Sequence, residues 1–573
     1  MSDDEAMATP SMKQASTPRE LADGYVYLLA DLDTSVSTAL GLRKHDDRVP
    51  DFSPAAQQRL TDVAIDVLAR LDLLETNPPD DGWGDIERRC AAVLRDRLRV
   101  EIEAHEAGEH LRELRNLFGP PQQVRQLFSM MPTESEEDWA CISRRMAKVD
   151  ESLQSYVAAL DLGRQQGLFA APLQVATVID QLNDWVQTEW FETFVQPGVT
   201  AYPDLTQQLQ DAAEAATRGS ATLRDYLEST YLPSSVGTPD AVGAERYALN
   251  VRRWSGADLD PIETYQWGWR EFLDLRTQME ELAEHILPGS TPVQAMRHLD
   301  SHGEIIEGVD AIQERLQSMM DQAISDLDGE HFDIAEPLRT VKARIAPSGS
   351  AAAPYYSRPS LDFERPGQTW LPTLGQTRFP LYELISTWYH EGVPGHHLQL
   401  AQWVYLAPEL SVYQTTLGSS SAATEGWALY AERLMDELGY LDPQAKMGYL
   451  DCQMMRAIRV VIDIGMHLEL TIPDESPLAP GQQWTPELAE KFFVMHSGRP
   501  ADFISSEIVR YLGWPGQAIS YKVGERAWLA GRDAARQAAT DRGEYFDLKA
   551  WHMAALSLGA MGLADLESEL AQL

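Results

Sequence analysis

Cysteine is scarce. Three occur in 573 residues, Cys90, Cys141 and Cys452, far apart and in no C-x-x-C pair. This excludes a disulfide framework and a thiolate metal site, and it fits a reducing interior. Basic residues are also few, 47 against 88 acidic ones, giving a formal net charge of −41. Phosphate backbones and anionic lipid surfaces would be repelled, so neither nucleic acid nor membrane is an expected partner. The acidic excess reads first as a solvated surface and second as steering of cationic substrates. Long apolar runs are missing, since no stretch approaches the roughly 20 residues that a membrane-spanning helix requires. The opening MSDDEAMATPSMKQ is acidic and polar where a secretion signal needs a positive end and an apolar run. The expected location is the cytoplasm.

What is present is the composition of a globular chain with a large core: 44% hydrophobic and 24% charged residues. From about 18 to 330 the apolar residues recur at helical spacing, as in Leu60-Val63-Ala64-Val67-Leu68-Leu71 and Ile312-Leu316-Met319-Met320-Ile324. Turn signals such as Asn77-Pro78-Pro79, Gly119-Pro120-Pro121 and Gln196-Pro197-Gly198 divide these helices. Between about 335 and 375 the pattern shortens and alternates, with Arg339 to Ile345 and Ser360 to Phe363 as strand candidates. Helical spacing then resumes nearly to Leu573. The expected fold is mainly α, a large helical body with a deep cleft and one small β-sheet before the chemistry begins. The expected organisation is a disordered tail over 1–17, a helical lobe over 18–330 forming one cleft wall, and a catalytic lobe over 331–573, within one continuous domain or two. Helical proteins of this size often form homodimers, although nothing in the sequence marks a surface for it.

Three of the 13 histidines fall in the run His390-Glu391-Gly392-Val393-Pro394-Gly395-His396-His397-Leu398-Gln399. Zinc favours imidazole and carboxylate, and a catalytic site typically takes three protein ligands. A glutamate beside the first ligand serves as the base in the H-E-x-x-H pattern. Here Pro394 stands where the second histidine of that pattern belongs. On an unbroken helix His396 would be turned about 120° from His390, and His397 would lie ~10 Å along the axis, so neither could share an ion with it. Pro394-Gly395 is where a helix could bulge and bring one of them back. A straight helix through this segment would refute the site.

The second element, Thr424-Glu425-Gly426-Trp427-Ala428-Leu429-Tyr430-Ala431-Glu432, offers a third ligand in Glu425, with Glu432 as its rival two turns on. Glu425 is preferred because Gly426 would allow close backbone approach to a metal. Trp388, Tyr389 and Trp427 read as packing that excludes water.

These two motifs resemble the bacterial domain-of-unknown-function family 885, which carries H-E-x-x-P-G-H-H-x-Q followed by E-G-W-A-L-Y. Further matches are Tyr355-Tyr356, the run from Arg456 to His467, and Pro515-Gly516-Gln517-Ala518-x-Ser520-Tyr521-Lys522-x-Gly524. The family is similar in fold to helical gluzincin peptidases, the thermostable metallocarboxypeptidases and oligopeptidases. That resemblance implies one zinc ion on His390, His396 and Glu425 with Glu391 as general base, His397 remaining an alternative to His396. It implies a metallopeptidase acting on short peptides or related amides. Arg459, Asp463 and His467 recur every four residues on one helix face, with Arg456 one turn earlier. They read either as structural ion pairs or as substrate-carboxylate receptors, Arg456 and Arg459, with His467 as an oxyanion donor. Tyr521 is a second oxyanion donor candidate, and Tyr356 a substrate contact. A metal-dependent amidase or esterase on non-peptide substrates, and a binding protein without turnover, are the other classes open to this sequence.

Overall fold

The computed structural model describes residues 12–42, 46–346 and 353–573. Residues 1–11 of the expected tail lie outside the described residues. The rest of it is ordered: Met12–Gln14 form a 3-10 turn, and a Cβ on Gly24 would stand 2.8 Å from the Met12 nitrogen. Thr17 then caps the helix Pro18–Leu32 by accepting from the Glu20 amide.

The chain folds as two compact units. The first comprises Met1–Trp83, Leu98–Val242 and Val509–Trp514, and the second Gly84–Arg97, Gly243–Ile508 and Pro515–Leu573. The division therefore does not fall at 330, because the helices from Gly243 onward pack with the later chain. The first unit is helical. In Pro54–Thr76 the predicted stripe is seen in the burial of Ala64, Val67 and Leu71, with Ser53 as the N-cap and proline in the first turn. Phe128, Trp139, Leu153, Val178, Phe191 and Leu209 belong to one apolar cluster at its centre.

Among the described residues the second unit holds five short strands. β1 (Ile305–Glu307) pairs antiparallel with β5 (Arg378–Pro380). β2 (Val341–Ile345), β3 (Tyr355–Ser357) and β4 (Gly367–Leu371) form a second sheet in the order β2-β4-β3. The molecule is mainly α as expected, but it has two small sheets where one was predicted. Ser360 to Phe363 is not a strand. Its segment turns, with the Phe363 amide donating to the Ser360 carbonyl at 2.9 Å and Phe363 in the left-handed region.

Five helices carry the chemistry: α1 (Leu381–Glu391), α2 (His396–Tyr405), α3 (Ser421–Glu437), α4 (Pro443–His467) and α5 (Ser520–Arg542). Every residue of α4 from Met447 to His467 is buried, including Asp451, Arg456, Arg459, Asp463 and His467. Such a helix is normally apolar all round, so each of these groups must find its partner inside the protein. Among the described residues no helix is long and apolar enough to cross a membrane.

Candidate metal centre

α1 ends one residue after His390, and α2 begins at His396. The predicted distortion is thus a complete break over Gly392–Gly395, with a cis Val393-Pro394 bond within it. The break is tightly built. The Gly392 amide donates to Trp388 O at 2.9 Å, the Gly395 amide to Tyr389 O at 3.0 Å and the His397 amide to Gly392 O at 3.1 Å. A side chain at 395 would collide with the carbonyls of Tyr389 and His390, and one at 392 with the Met320 sulfur. Trp427 is more than packing here, since its indole N–H donates to both Pro394 O (2.9 Å) and Gly395 O (3.1 Å).

The break turns the imidazoles toward each other, their ring centres 4.8 Å apart and nearly perpendicular. Glu425 meets both: its Oε2 lies 3.2 Å from His390 Nε2 and 3.5 Å from His396 Nε2. Neither approach is aligned as a hydrogen bond, leaving this buried oxygen without one, and His396 Nδ1 likewise. Tetrahedral zinc with bonds of about 2.0–2.1 Å would set neighbouring ligand atoms about 3.3–3.4 Å apart, close to the two separations measured from Glu425, and two imidazoles with a carboxylate are a donor set that such an ion accepts. Among the described residues this is the one such group of three.

Glu425 and Glu432 do not compete. They stand two turns apart on α3, about 10 Å along its axis, and the His390 ring lies between them, with Nδ1 donating to Glu432 Oε1 at 2.8 Å. Glu432 also accepts from the Ser386 hydroxyl. Sequence spacing marked this carboxylate without revealing its role. The reason given for Glu425 is corrected: Gly426 serves packing of α3 on α5, because a Cβ there would overlap the backbone of Gly524.

Glu391 Oε1 is 4.0 Å from His390 Nε2. Burial raises its pKa, although His390 and His396 pull the other way. Burial also opposes protonation of His390, but Glu425, Glu432 and Glu391 outweigh it and raise that pKa to about 9. Glu425 is likewise penalised by burial, yet the two imidazoles hold it far below the usual carboxylate range.

A family model described as "Bacterial protein of unknown function (DUF885)" matches residues 35–570. The chain belongs to the DUF885 family. A candidate lipoprotein from Colwellia psychrerythraea is similar in fold, with 20% identity, a TM-score of 0.81, and coverage of 97% of this chain and 99% of that one. A candidate lipoprotein of unknown function from Shewanella oneidensis is similar at 15% identity and a TM-score of 0.74, again over 97% and 99% of the two chains. No curated protein matches.

In this DUF885 chain the other expected residues separate. His397 is not available as a ligand, because both ring nitrogens are engaged, Nε2 with Leu338 O at 2.8 Å and Nδ1 with the Tyr356 hydroxyl at 2.9 Å. With Nε2 donating to that carbonyl, Nδ1 must accept, and burial pushes the pKa down to about 4. Tyr356 is therefore the hydrogen-bond partner of His397. Arg459 does not pair with Asp463. It donates to Glu507 at 2.8 Å, while Asp463 accepts from the Tyr247 hydroxyl (2.7 Å) and the Gly516 amide (3.0 Å). His467 lies beside Asp463 and Tyr247, about 16 Å along the helix from Arg456, too far to stabilise an oxyanion at the ligands. Arg456 contacts Glu432 through Nη2 at 3.2 Å, while its Nε and Nη1 are buried without a hydrogen-bond partner among the described residues. Tyr521 remains near, its ring 5.8 Å from the guanidinium of Arg456 and 4.9 Å from that of Arg459.

Proposed function

We propose that this protein is a zinc-dependent hydrolase of peptide or closely related amide bonds, of carboxypeptidase or oligopeptidase type, working in the cytoplasm. The observation that carries the reading is the convergence of His390, His396 and Glu425 with Glu391 alongside. The resemblance to helical gluzincins favours peptides over other amides, and three cysteines that form no disulfide suit a reducing compartment. Zinc held by those three side chains supplies Lewis acidity and brings the pKa of a water toward neutrality.

The remaining work belongs to the chain. Glu391, buried and raised in pKa, takes a proton from the attacking water and returns it to the leaving nitrogen, the task for which a base near the working pH is best suited. Glu432 accepts from His390 Nδ1, so that once the ring has given up its second proton it is Nε2 that presents a lone pair to the site. Tyr521, whose ring packs against Arg456, is the candidate to donate to the developing oxyanion. The side chains of His390, His396 and Glu425 are 4%, 12% and 22% exposed, grading from buried to accessible, so a substrate would approach from the Glu425 side.

The test is zinc analysis of the purified protein and of two variants, with hydrolysis of a blocked-dipeptide panel set against N-acyl amino acids and esters. Glu391→Gln should keep stoichiometric zinc and lose roughly 10²–10⁴-fold in turnover, whereas His396→Ala should lose both. A wild-type protein that takes up no zinc on reconstitution would remove the basis for the enzyme reading.

A further inference from the structure

We propose that Arg456 is a positioning residue for His390, acting through Glu432 and not through substrate. The inference rests on the metal reading above and concerns how the first ligand is held. Glu432 is fully buried, and its Oε1 is shared by His390 Nδ1 at 2.8 Å and Arg456 Nη2 at 3.2 Å. The other carboxylate oxygen is taken by Ser386. A buried carboxylate with no counter-cation is strongly disfavoured, and Arg456 is the cation in contact with this one.

The contacts of Arg456 distinguish this role from ordinary structural support. A guanidinium has five donors to place, and Arg97 spreads its own over Arg253 O at 2.6 Å, Arg252 O at 3.3 Å and the Asp96 carboxylate. Arg456 does not. Its Nε and Nη1 are buried without a hydrogen-bond partner among the described residues, and only Nη2 is committed, to Glu432. The ring of Tyr521 packs against it, and Arg459 one turn on is spent on Glu507. The line from Arg456 through Glu432 to His390 therefore has one shared carboxylate at its middle, while Arg456 also acts on Glu391 through space. Its effect is to hold that carboxylate in place, which keeps the bond to His390 Nδ1 made and the ring turned to Glu425 and His396.

The sign of the effect is diagnostic. Removing Arg456 also removes a positive charge from near the ligands, which alone would tighten cation binding. The positioning role predicts the opposite.

The experiment compares Arg456→Met, Arg456→Lys, Glu432→Gln and the Arg456→Met/Glu432→Gln double variant. Two readouts are used: zinc affinity by competition with a chromophoric chelator, and the His390 Nδ1–H resonance of metal-free protein with labelled histidine. Arg456→Met should weaken zinc binding roughly 10–100-fold, the range seen when groups behind a ligand are removed. Arg456→Lys, which keeps the charge but not the fork, should fall between it and wild type. The double variant should bind no more weakly than Glu432→Gln alone. Additive losses in the double variant, or tighter zinc binding in Arg456→Met, would overturn the proposal. Should Arg456→Met not fold, Arg456→Lys and its combination with Glu432→Gln carry the same cycle. If wild type takes up no zinc, the metal reading fails by itself, and the resonance decides the positioning role: a shift in the arginine variants upholds it and an unchanged signal ends it.

Discussion

The interiors of the two units are made from the same amphipathic helices and filled with different chemistry. In the first, Phe128, Trp139, Leu153, Val178, Leu209 and Leu223 are at most 4% exposed and form an apolar centre. Polar atoms there are tied to backbone, as the Tyr156 hydroxyl is to Glu113 O at 2.6 Å. Arg145 is an exception: it donates to Arg48 O at 2.5 Å and also faces the buried Asp46 carboxylate at 3.8 Å. In the second unit the most enclosed helix, α4, carries the buried Asp451, Arg456, Arg459, Asp463 and His467, and Glu391, Glu432, Lys522 and Glu525 are buried around it. Burying an aliphatic or aromatic side chain contributes about 1.5–3 kcal/mol. A buried ion pair contributes little net stability and is costly to leave half made. The first interior is therefore explained by stability. The second needs a further reason, and in the Arg456, Glu432 and His390 line that reason is the placement of one imidazole nitrogen.

Substitutions can separate the two. Leu209→Ala in the first unit should cost about 2–5 kcal/mol by the loss of packed methyls and the cavity left behind, read by urea unfolding. Zinc bound per folded molecule should stay at the wild-type level, and a parallel fall in zinc would erase the distinction. Gly426→Ala should cost less, about 1–3 kcal/mol, from overpacking against Gly524. It should nevertheless weaken zinc binding, because the displaced helix carries both Glu425 and Glu432. Intact affinity in that variant would show that the site tolerates movement of α3.

The smallest effect concerns acid. His552 is enclosed in the second unit, its Nε2 accepting from the Tyr430 hydroxyl at 2.7 Å and its Nδ1 facing His331 O at 3.3 Å. Burial, the largest cause, lowers its pKa from 6.5 to about 3. Between those values the unfolded chain binds a proton that the folded chain refuses, so the stability from this neutral histidine is complete above about 6.5 and is lost as pH falls toward 3. In His552→Gln the melting temperature should vary less steeply over that interval than in wild type. An unchanged slope would assign the acid sensitivity elsewhere.

The sequence was legible where chemistry is contiguous. His390, Glu391 and His396 sit within seven residues, and Pro394-Gly395 announced that their helix could not be regular. Helix stripes such as Ile312 to Ile324 were readable for the same reason, since periodicity is local. What spacing could not express is the choice between partners distant along the chain. Arg459 had Asp463 four residues away and took Glu507 instead, because Asp463 was claimed by Tyr247 and the Gly516 amide. His397 looked as good a ligand as its neighbour until Leu338 and Tyr356 occupied its two nitrogens. The strand at Gly367–Leu371 was hidden because its parallel partner lies 26 positions earlier, as in the Val341 and Gly367 register.

The threading of the chain between the units has a consequence for biosynthesis. The first unit includes Val509–Trp514, where Gln174 donates to Val509 O at 2.7 Å and Arg115 lies 5.0 Å over the Trp514 ring. Although its helices emerge early from the ribosome, this unit cannot be completed until residue 514 has been made. Glu507, Gly516 and α5, on which the buried charges of the second unit depend, arrive in the same late stretch. Both units thus wait for nearly the same codons, and a ribosome that stalls before them leaves neither one finished.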